Sequence, residues 1–380
     1  MTRGDLLLVT FVLGYLWFAL IDQLRVEWTV NPQYNYGWVV PFLCLWLVFR
    51  RYHDSQAVLR AAWAQKLSGW LVSLRLPVLG LAFLWFPVRL IEQANPEWRL
   101  VSWALALITV GLTLGLLYQS GFRLSIFGFP TCFFLVAVPW PTVVEAPLIQ
   151  SLTRLNAVGA VEVLAWLGIP ALRQGNVIEI SSGLVGIEDA CSGVRSIQAC
   201  LMIGLFLGAY YRLRHRSRAG LVLAGVGLAL VLNLTRTVLL VSVASARGMD
   251  ALARWHDPAG VSILVGCFLG VWWLSARFHR SEQKQQSPDG TQADVPPRMN
   301  RGMRPMPLII PAGLLVWVVL SDFGVEAWYR SHERALDRRA GWRSRPVKPG
   351  AERRADQARH DLPRCGASLL AAVRPHAGGI

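Results

Sequence analysis

The stretch RLRHRSRAGLVLAGVGLALVLNLTRTVLLVSV, residues 212–243, sets the terms on which the rest of the chain is read. A basic segment, YRLRHRSR at 211–218, runs straight into an apolar one at 219–243, long enough to cross a hydrocarbon core of roughly 30 Å. One cation, Arg236, interrupts that run beyond its middle. An arginine at such a depth costs about 2.5–3.5 kcal/mol on insertion scales, and residues that carry this cost usually mark a function or a pathway. The competing reading is structural: a salt bridge or a backbone carbonyl partner.

Similar apolar runs recur at 6–22, 37–50, 76–91, 100–118, 124–140, 194–211 and 261–277, with another at 308–320. The pattern predicts an all-α polytopic membrane protein with about eight core transmembrane helices and a ninth, C-terminal span. Composition agrees. Hydrophobic residues make up 54% of the 380 and charged ones only 16%, against roughly 25% in soluble domains. No small-residue cleavage site follows the first apolar run, so an uncleaved first span is expected.

The formal net charge of +15 has a membrane explanation, because Lys and Arg collect in cytoplasmic loops and meet anionic lipid there. No aromatic-interleaved basic motif and no Gly-rich phosphate loop occurs, so nucleic acid is not an expected partner. Arg50, Arg51, Arg60, Lys66 and Arg75 lie between the second and third runs, and Arg123 between the fourth and fifth. With 211–218 and with Arg277, Arg280 and Lys284, simple alternation puts all of them on one side, the cytoplasm.

Residues 141–193 then fall on the opposite side. From Pro147 to Gly168 the apolar spacing predicts a helix, while Glu145, Arg154 and Glu162 make a full crossing costly, so an interfacial or partly buried helix is expected. NVIEI at 176–180 alternates like a strand, and GLVGIE at 183–188 is its candidate hairpin partner. The fold expectation thus includes a small extracytoplasmic hairpin ahead of Cys191. In domain terms, 1–280 is the transmembrane core, 281–307 a polar Pro/Gln-rich linker, 308–320 an additional span and 321–380 a basic tail, disordered or altered.

Of the six cysteines, Cys44, Cys132, Cys200 and Cys267 lie inside apolar runs, where a free thiol behaves as a small hydrophobe. No CxxC pair suggests zinc or a disulfide framework, and neither metal nor cofactor is expected. Cys191 alone has a polar setting, EDACSGVRS at 188–196, at the outer entrance of the 194–211 span. The topology brings two further groups to that face: Arg236, toward the outer end of its span, and His256, in RWHDPAG at 254–260, an outer loop leading to 261–277. A thiol needs a base or a cation to ionise at neutral pH, and this trio supplies both. Each residue alone has an ordinary reading; their coincidence at one depth points to nucleophilic cysteine chemistry.

Four more residues are supporting or substrate-binding candidates. Arg195, one turn after Cys191, is placed to bind an acidic substrate motif, or else a lipid headgroup or Asp189. Asn233 lies three residues before Arg236 and is placed to orient it. Asp257 is a candidate orienter of His256, although adjacent side chains usually diverge. Asp189, like Glu188, also has a simple hydrated reading.

ACSGVRS at 190–196, NLTRT at 233–237 and HDPAG at 256–260, in that order, closely resemble the exosortase/archaeosortase family of membrane transpeptidases. WTVNPQYNYGWVVP at 28–41 and ALRQGNVIEI at 171–180 are similar to further family segments, so the resemblance covers about residues 28–277. It implies a cysteine transpeptidase without cofactor, with Cys191 as nucleophile and Arg236 and His256 as its catalytic partners. It also implies the substrates: exported proteins with a C-terminal Pro-Glu-Pro-like motif, a transmembrane helix and a basic tail. The product would pass to a cell-surface acceptor, exopolysaccharide or lipid-linked, from an inner-membrane enzyme with its site on the periplasmic side. The rival readings are a transporter, for which Arg236 would line a solute path, and a non-catalytic component of an exopolysaccharide export complex.

Overall fold

A computed structural model describes residues 3–59, 75–120, 124–186, 193–285 and 309–340. Cys191, Asp189, Glu188, linker residues 286–307 and the tail beyond 340 lie outside the described residues. The chain divides into two compact units, Met1–Val325 and Glu326–Ile380.

Every apolar run read as a span contains a helix, although the run at 124–140 leaves the helical course after Ala137. The helices are α1 (Arg3–Val30), α2 (Val40–Leu59), α3 (Arg75–Ala94), α4 (Arg99–Gln119), α5 (Leu124–Phe133), α6 (Thr142–Trp166), α7 (Val194–Tyr210), α8 (His215–Arg247), α9 (Met249–Gln285) and α10 (Ile309–Ala340). The protein is an all-α polytopic membrane protein. Helices α1, α4, α8, α9 and α10 are each long and apolar enough to cross a membrane, and α5 with α6 makes a sixth if the bent pair crosses as one. Helix α7 is a shorter apolar helix; its 17 residues reach only about 26 Å at 1.5 Å per residue. Large apolar side chains such as Phe11, Phe18, Phe42, Phe49, Leu223 and Val265 are exposed along the helices, as lipid-facing surfaces require.

Three buried clusters hold the first unit together. The largest joins α1 to α5 with Met202 and Ala209 of α7 and with Leu314 and Val318 of α10. A second joins Leu152 of α6 to α7, α8 and α9, with Cys200 and Cys267 fully buried in it. The third packs Ala157, Ala160 and Leu164 of α6 and Val241 and Ala244 of α8 against a small sheet. Helix α10 is also pinned by polar contacts: Asp322 accepts from Tyr15 (2.6 Å), Trp85 Nε1 (3.1 Å) and Arg89 Nε (3.0 Å).

The sequence VPWP, 138–141, breaks the chain between α5, with its trailing 3-10 turn Phe134–Ala137, and α6, which leaves at 67°. Each proline removes a backbone donor and drives the residue before it out of the helical region; Val138 accordingly sits at ψ 127°. Broken backbone within a membrane must find partners inside the protein, and here aromatic side chains supply them. Trp28 Nε1 donates to Ala137 O (2.8 Å), Tyr36 to Val136 O (3.1 Å) and Trp103 Nε1 to Pro139 O (2.8 Å), while the Tyr34 hydroxyl accepts from Trp140 N (2.9 Å). Three of these four come from the segment 28–41, where the 3-10 turn Pro32–Trp38 presents the tyrosines.

Helix α6 begins at Thr142, five residues ahead of the Pro147 start expected from sequence, with Pro147 accommodated inside it. After α6, an antiparallel sheet forms in the order β1 (Ala171–Gln174), β2 (Val177–Ile180), β3 (Gly183–Gly186). The expected hairpin is β2–β3, in register Ile178↔Val185. Strand β1 is an addition, pairing Arg173 with Ile178.

Candidate active site

Asn233, Arg236, Thr237 and Leu240 recur on one stripe of α8, and all four are buried. Helix α8 ends at Gly248, whose φ of +81° turns the chain directly into α9. The α8–α9 hairpin brings His256 back beside Arg236. His256 therefore sits within α9, not in the outer loop expected from Pro258 and Gly260. A single proline in a long helix costs one hydrogen bond and a local bend, and packing against α8 keeps the helix continuous.

The polar geometry fixes proton positions. Arg236 Nη2 lies 3.1 Å from His256 Nε2 and 3.3 Å from His256 O. A guanidinium only donates, so Nε2 is the acceptor and the ring proton is on Nδ1. From there it donates to Asp257 Oδ1 at 3.0 Å. Asp257 thus does turn toward its neighbour, although 93% of its side chain is exposed. Both protons of Nη2 are spoken for. Arg236 Nε, by contrast, is buried and finds no acceptor among the described residues.

Gly260, one turn beyond His256, explains how the guanidinium approaches α9. A Cβ there would stand 3.3 Å from Arg236 Nη2. Gly193 plays the matching part on α7: it caps the helix at φ +84°, and a Cβ would meet the Asn233 side chain at 3.0 Å. The first turn of α7 therefore packs against α8 one turn before Arg236. Arg195, on that same turn, is exposed and forms no ion pair among the described residues. Cys191 and Asp189 lie outside the described residues, so the structure brings together Arg236, His256 and Asp257 and seats Asn233 against Gly193.

Two buried features escaped sequence reasoning. Asn156 of α6 donates to Thr237 Oγ1 (2.7 Å), and Thr237 donates to Asn233 O (3.2 Å), tying α6 to the stripe. Single amides and hydroxyls in apolar helices give no pattern to find. The second feature is a polar cluster at the start of α6. Glu145 accepts from Tyr34, Gln33 and Arg99, and Arg99 Nη2 donates onward to Glu27 (2.7 Å). Burial, and then the bond to Glu145, hold the Tyr34 phenol well above its ordinary range, so it remains a donor. Gln198 Nε2 reaches the same hydroxyl at 3.4 Å from α7. A cavity of about 480 Å³ opens beside His256 between β3, α8 and α9.

With this geometry in view, the sequence model of the transmembrane exosortase family matches residues 28–273. The chain belongs to the transmembrane exosortase family. The exosortase match begins at Trp28, the first of the aromatic residues that cap the break, and takes in α7, α8 and most of α9. Helix α10 falls beyond it. Membership supports a sorting role in the membrane of the transpeptidase kind, which in exosortases is generally carried by a cysteine. No curated protein and no solved structure matches the chain.

Proposed function

We propose that the protein cleaves C-terminal sorting signals of exported proteins through a Cys191 thioester and hands the acyl group to a cell-surface acceptor. The signal is a Pro-Glu-Pro-like motif followed by a transmembrane helix and a basic tail. The reaction takes place at the extracytoplasmic boundary of the inner membrane, and the acceptor is exopolysaccharide or lipid-linked.

The observation that carries this reading is the Arg236–His256 pair with its unmatched buried donor, Arg236 Nε. A buried N–H without an acceptor costs about 1–3 kcal/mol, a cost that an incoming carbonyl oxygen removes. The link to Cys191 is covalent: Cys191 lies two residues before Gly193, so their Cα atoms are at most about 7.6 Å apart, and Gly193 rests on Asn233.

In the first half-reaction the Cys191 thiol gives its proton to His256 Nε2, which exchanges its bond from Arg236 Nη2 for it, and the resulting thiolate attacks the scissile carbonyl carbon. Arg236 Nε donates to the oxyanion that develops there, a fixed dipole and charge in a partly dry site. Collapse breaks the C–N bond, and the amine leaves with the proton that His256 Nε2 took from the Cys191 thiol. In the second half the acceptor nucleophile gives its proton to His256 as it attacks the thioester carbonyl, and Cys191 departs as thiolate. Asp257 holds the Nδ1 proton throughout, so Nε2 is the nitrogen that takes and gives the mobile proton. Arg195, exposed at the mouth, meets the acidic residue of the motif.

The test is a Cys191→Ala chain expressed with a reporter bearing the tripartite signal. Lost processing at normal abundance supports the proposal. Unchanged processing, as expected of a transporter or assembly component, sinks it.

A further inference from the structure

We propose that the cavity beside His256 is a subsite for an apolar side chain of the donor peptide, whose main chain pairs with the free edge of β3. The inference rests on the function proposed above and names how that site holds its substrate.

The cavity has the size of a small-ligand pocket, about 480 Å³. Its walls are mainly apolar: Leu184 and Val185 of β3, Leu240 of α8, and Leu252 and Ala253 of α9. His256 closes one side, so anything seated there lies against the Arg236–His256 pair. Two features favour a peptide over a lipid chain. First, β3 is the edge strand of the sheet, paired only with β2 among the described residues. An edge strand offers a row of main-chain donors and acceptors that an extended peptide satisfies and an acyl chain does not. Second, β3 ends at Gly186, five residues before Cys191 in the sequence. A peptide paired with β3 is therefore bound five residues along the chain from the nucleophile.

The division of labour follows from strand geometry. Main-chain hydrogen bonds to β3 give register without regard to sequence, while alternate side chains point to opposite faces. One of them enters the cavity. Selectivity at that position is then a matter of size, and the two α9 residues that narrow the cavity set it.

The experiment uses the full chain in membranes and a reporter whose residues around the scissile bond are varied singly from Gly to Leu. Ala253→Phe fills the cavity and Leu252→Ala enlarges it; because both residues line the cavity with His256, each variant is read by its ratio between reporters, not by its absolute rate. At one reporter position, Ala253→Phe is expected to lower kcat/KM for Leu about tenfold relative to Gly, with Leu252→Ala shifting preference the other way. In parallel, p-benzoylphenylalanine at position 184 of the Cys191→Ala chain is expected to form an adduct with the reporter within a few residues of the scissile bond. A size profile unchanged in both variants, or adducts to lipid alone, overturns the inference. If Ala253→Phe does not accumulate, Leu252→Ala and the adduct decide. The function itself fails separately, if Cys191→Ala still processes the reporter.

Discussion

Arg236 Nη2 stands 3.1 Å from His256 Nε2 and 3.3 Å from His256 O, so one nitrogen of a buried guanidinium fixes both the ring and the backbone of the histidine. In the proposed reaction the Nε donor of the same group serves the substrate oxyanion. Lysine cannot reproduce the arrangement, because an ammonium is a point charge without a planar fork. Arg236→Lys is expected to lower reporter processing about 10²–10³-fold, the usual cost of losing an oxyanion donor, at near-normal abundance. Initial cleavage rates normalised to protein level measure this, and a loss under fivefold contradicts the assigned role.

His256 and Asp257 separate by burial. The Asp257 side chain is 93% exposed, and exposed ion pairs contribute about 0–1 kcal/mol. Asp257→Asn should therefore slow processing by less than about fivefold. His256→Gln removes the proposed proton carrier, for which about 10²–10⁴-fold is expected. Comparable losses in the two variants would mean that Asp257 does more than steady the ring.

Gly193 combines a left-handed backbone with close packing. Its φ is +84°, which costs an L-residue about 1–2 kcal/mol, and a Cβ would also press on Asn233. Gly193→Ala should lower the thermal midpoint and reduce processing. Adding Asn233→Ala relieves the contact but not the backbone, so the double variant should recover stability only in part. Full recovery would show that crowding alone matters.

How much of this was legible in the sequence depends on the range of the interactions. The helices were readable because each follows a continuous apolar run; of the nine runs read as spans, those of α1, α4, α8, α9 and α10 form helices long and apolar enough to cross singly. The β2–β3 hairpin was readable from the alternation in NVIEI. Strand β1 was not, since ALRQ has no period of its own and pairs only because β2 lies beside it. The helical setting of His256 was hidden by Pro258 and Gly260, which read locally as a turn and which α8 overrides by packing. Pro147 was read as a helix start because proline is favoured there, whereas the break lies in VPWP. The Arg99–Glu145 pair joins residues 46 apart; charges on separate segments carry no sign of each other until the segments fold together.

That pair should matter to stability. Glu145→Ala leaves the buried Tyr34 hydroxyl without its acceptor and takes one of three acceptors from the half-buried Arg99, which keeps Glu27 and Trp140 O, so a loss of about 1–3 kcal/mol is expected. Removing Asp22, whose pair with Arg25 leaves the two side chains 52% and 58% exposed, should change stability by less than about 0.5 kcal/mol. Thermal unfolding of the purified proteins in one detergent compares them directly. Equal stability of Glu145→Ala and the parent would show that the Glu145 cluster does not hold the α5–α6 break in place.

The most direct measurement of the central claim is capture of the acyl-enzyme. The full chain is incubated in membranes with the tripartite reporter, quenched in acid, and digested for mass spectrometry of the peptide containing Cys191. The account predicts a hydroxylamine-labile adduct on Cys191 whose mass equals the reporter fragment upstream of the cut, present in the parent and lost in Cys191→Ala. Reporter cleaved at the parent rate by Cys191→Ala, or an adduct only on another of the cysteines, would contradict it.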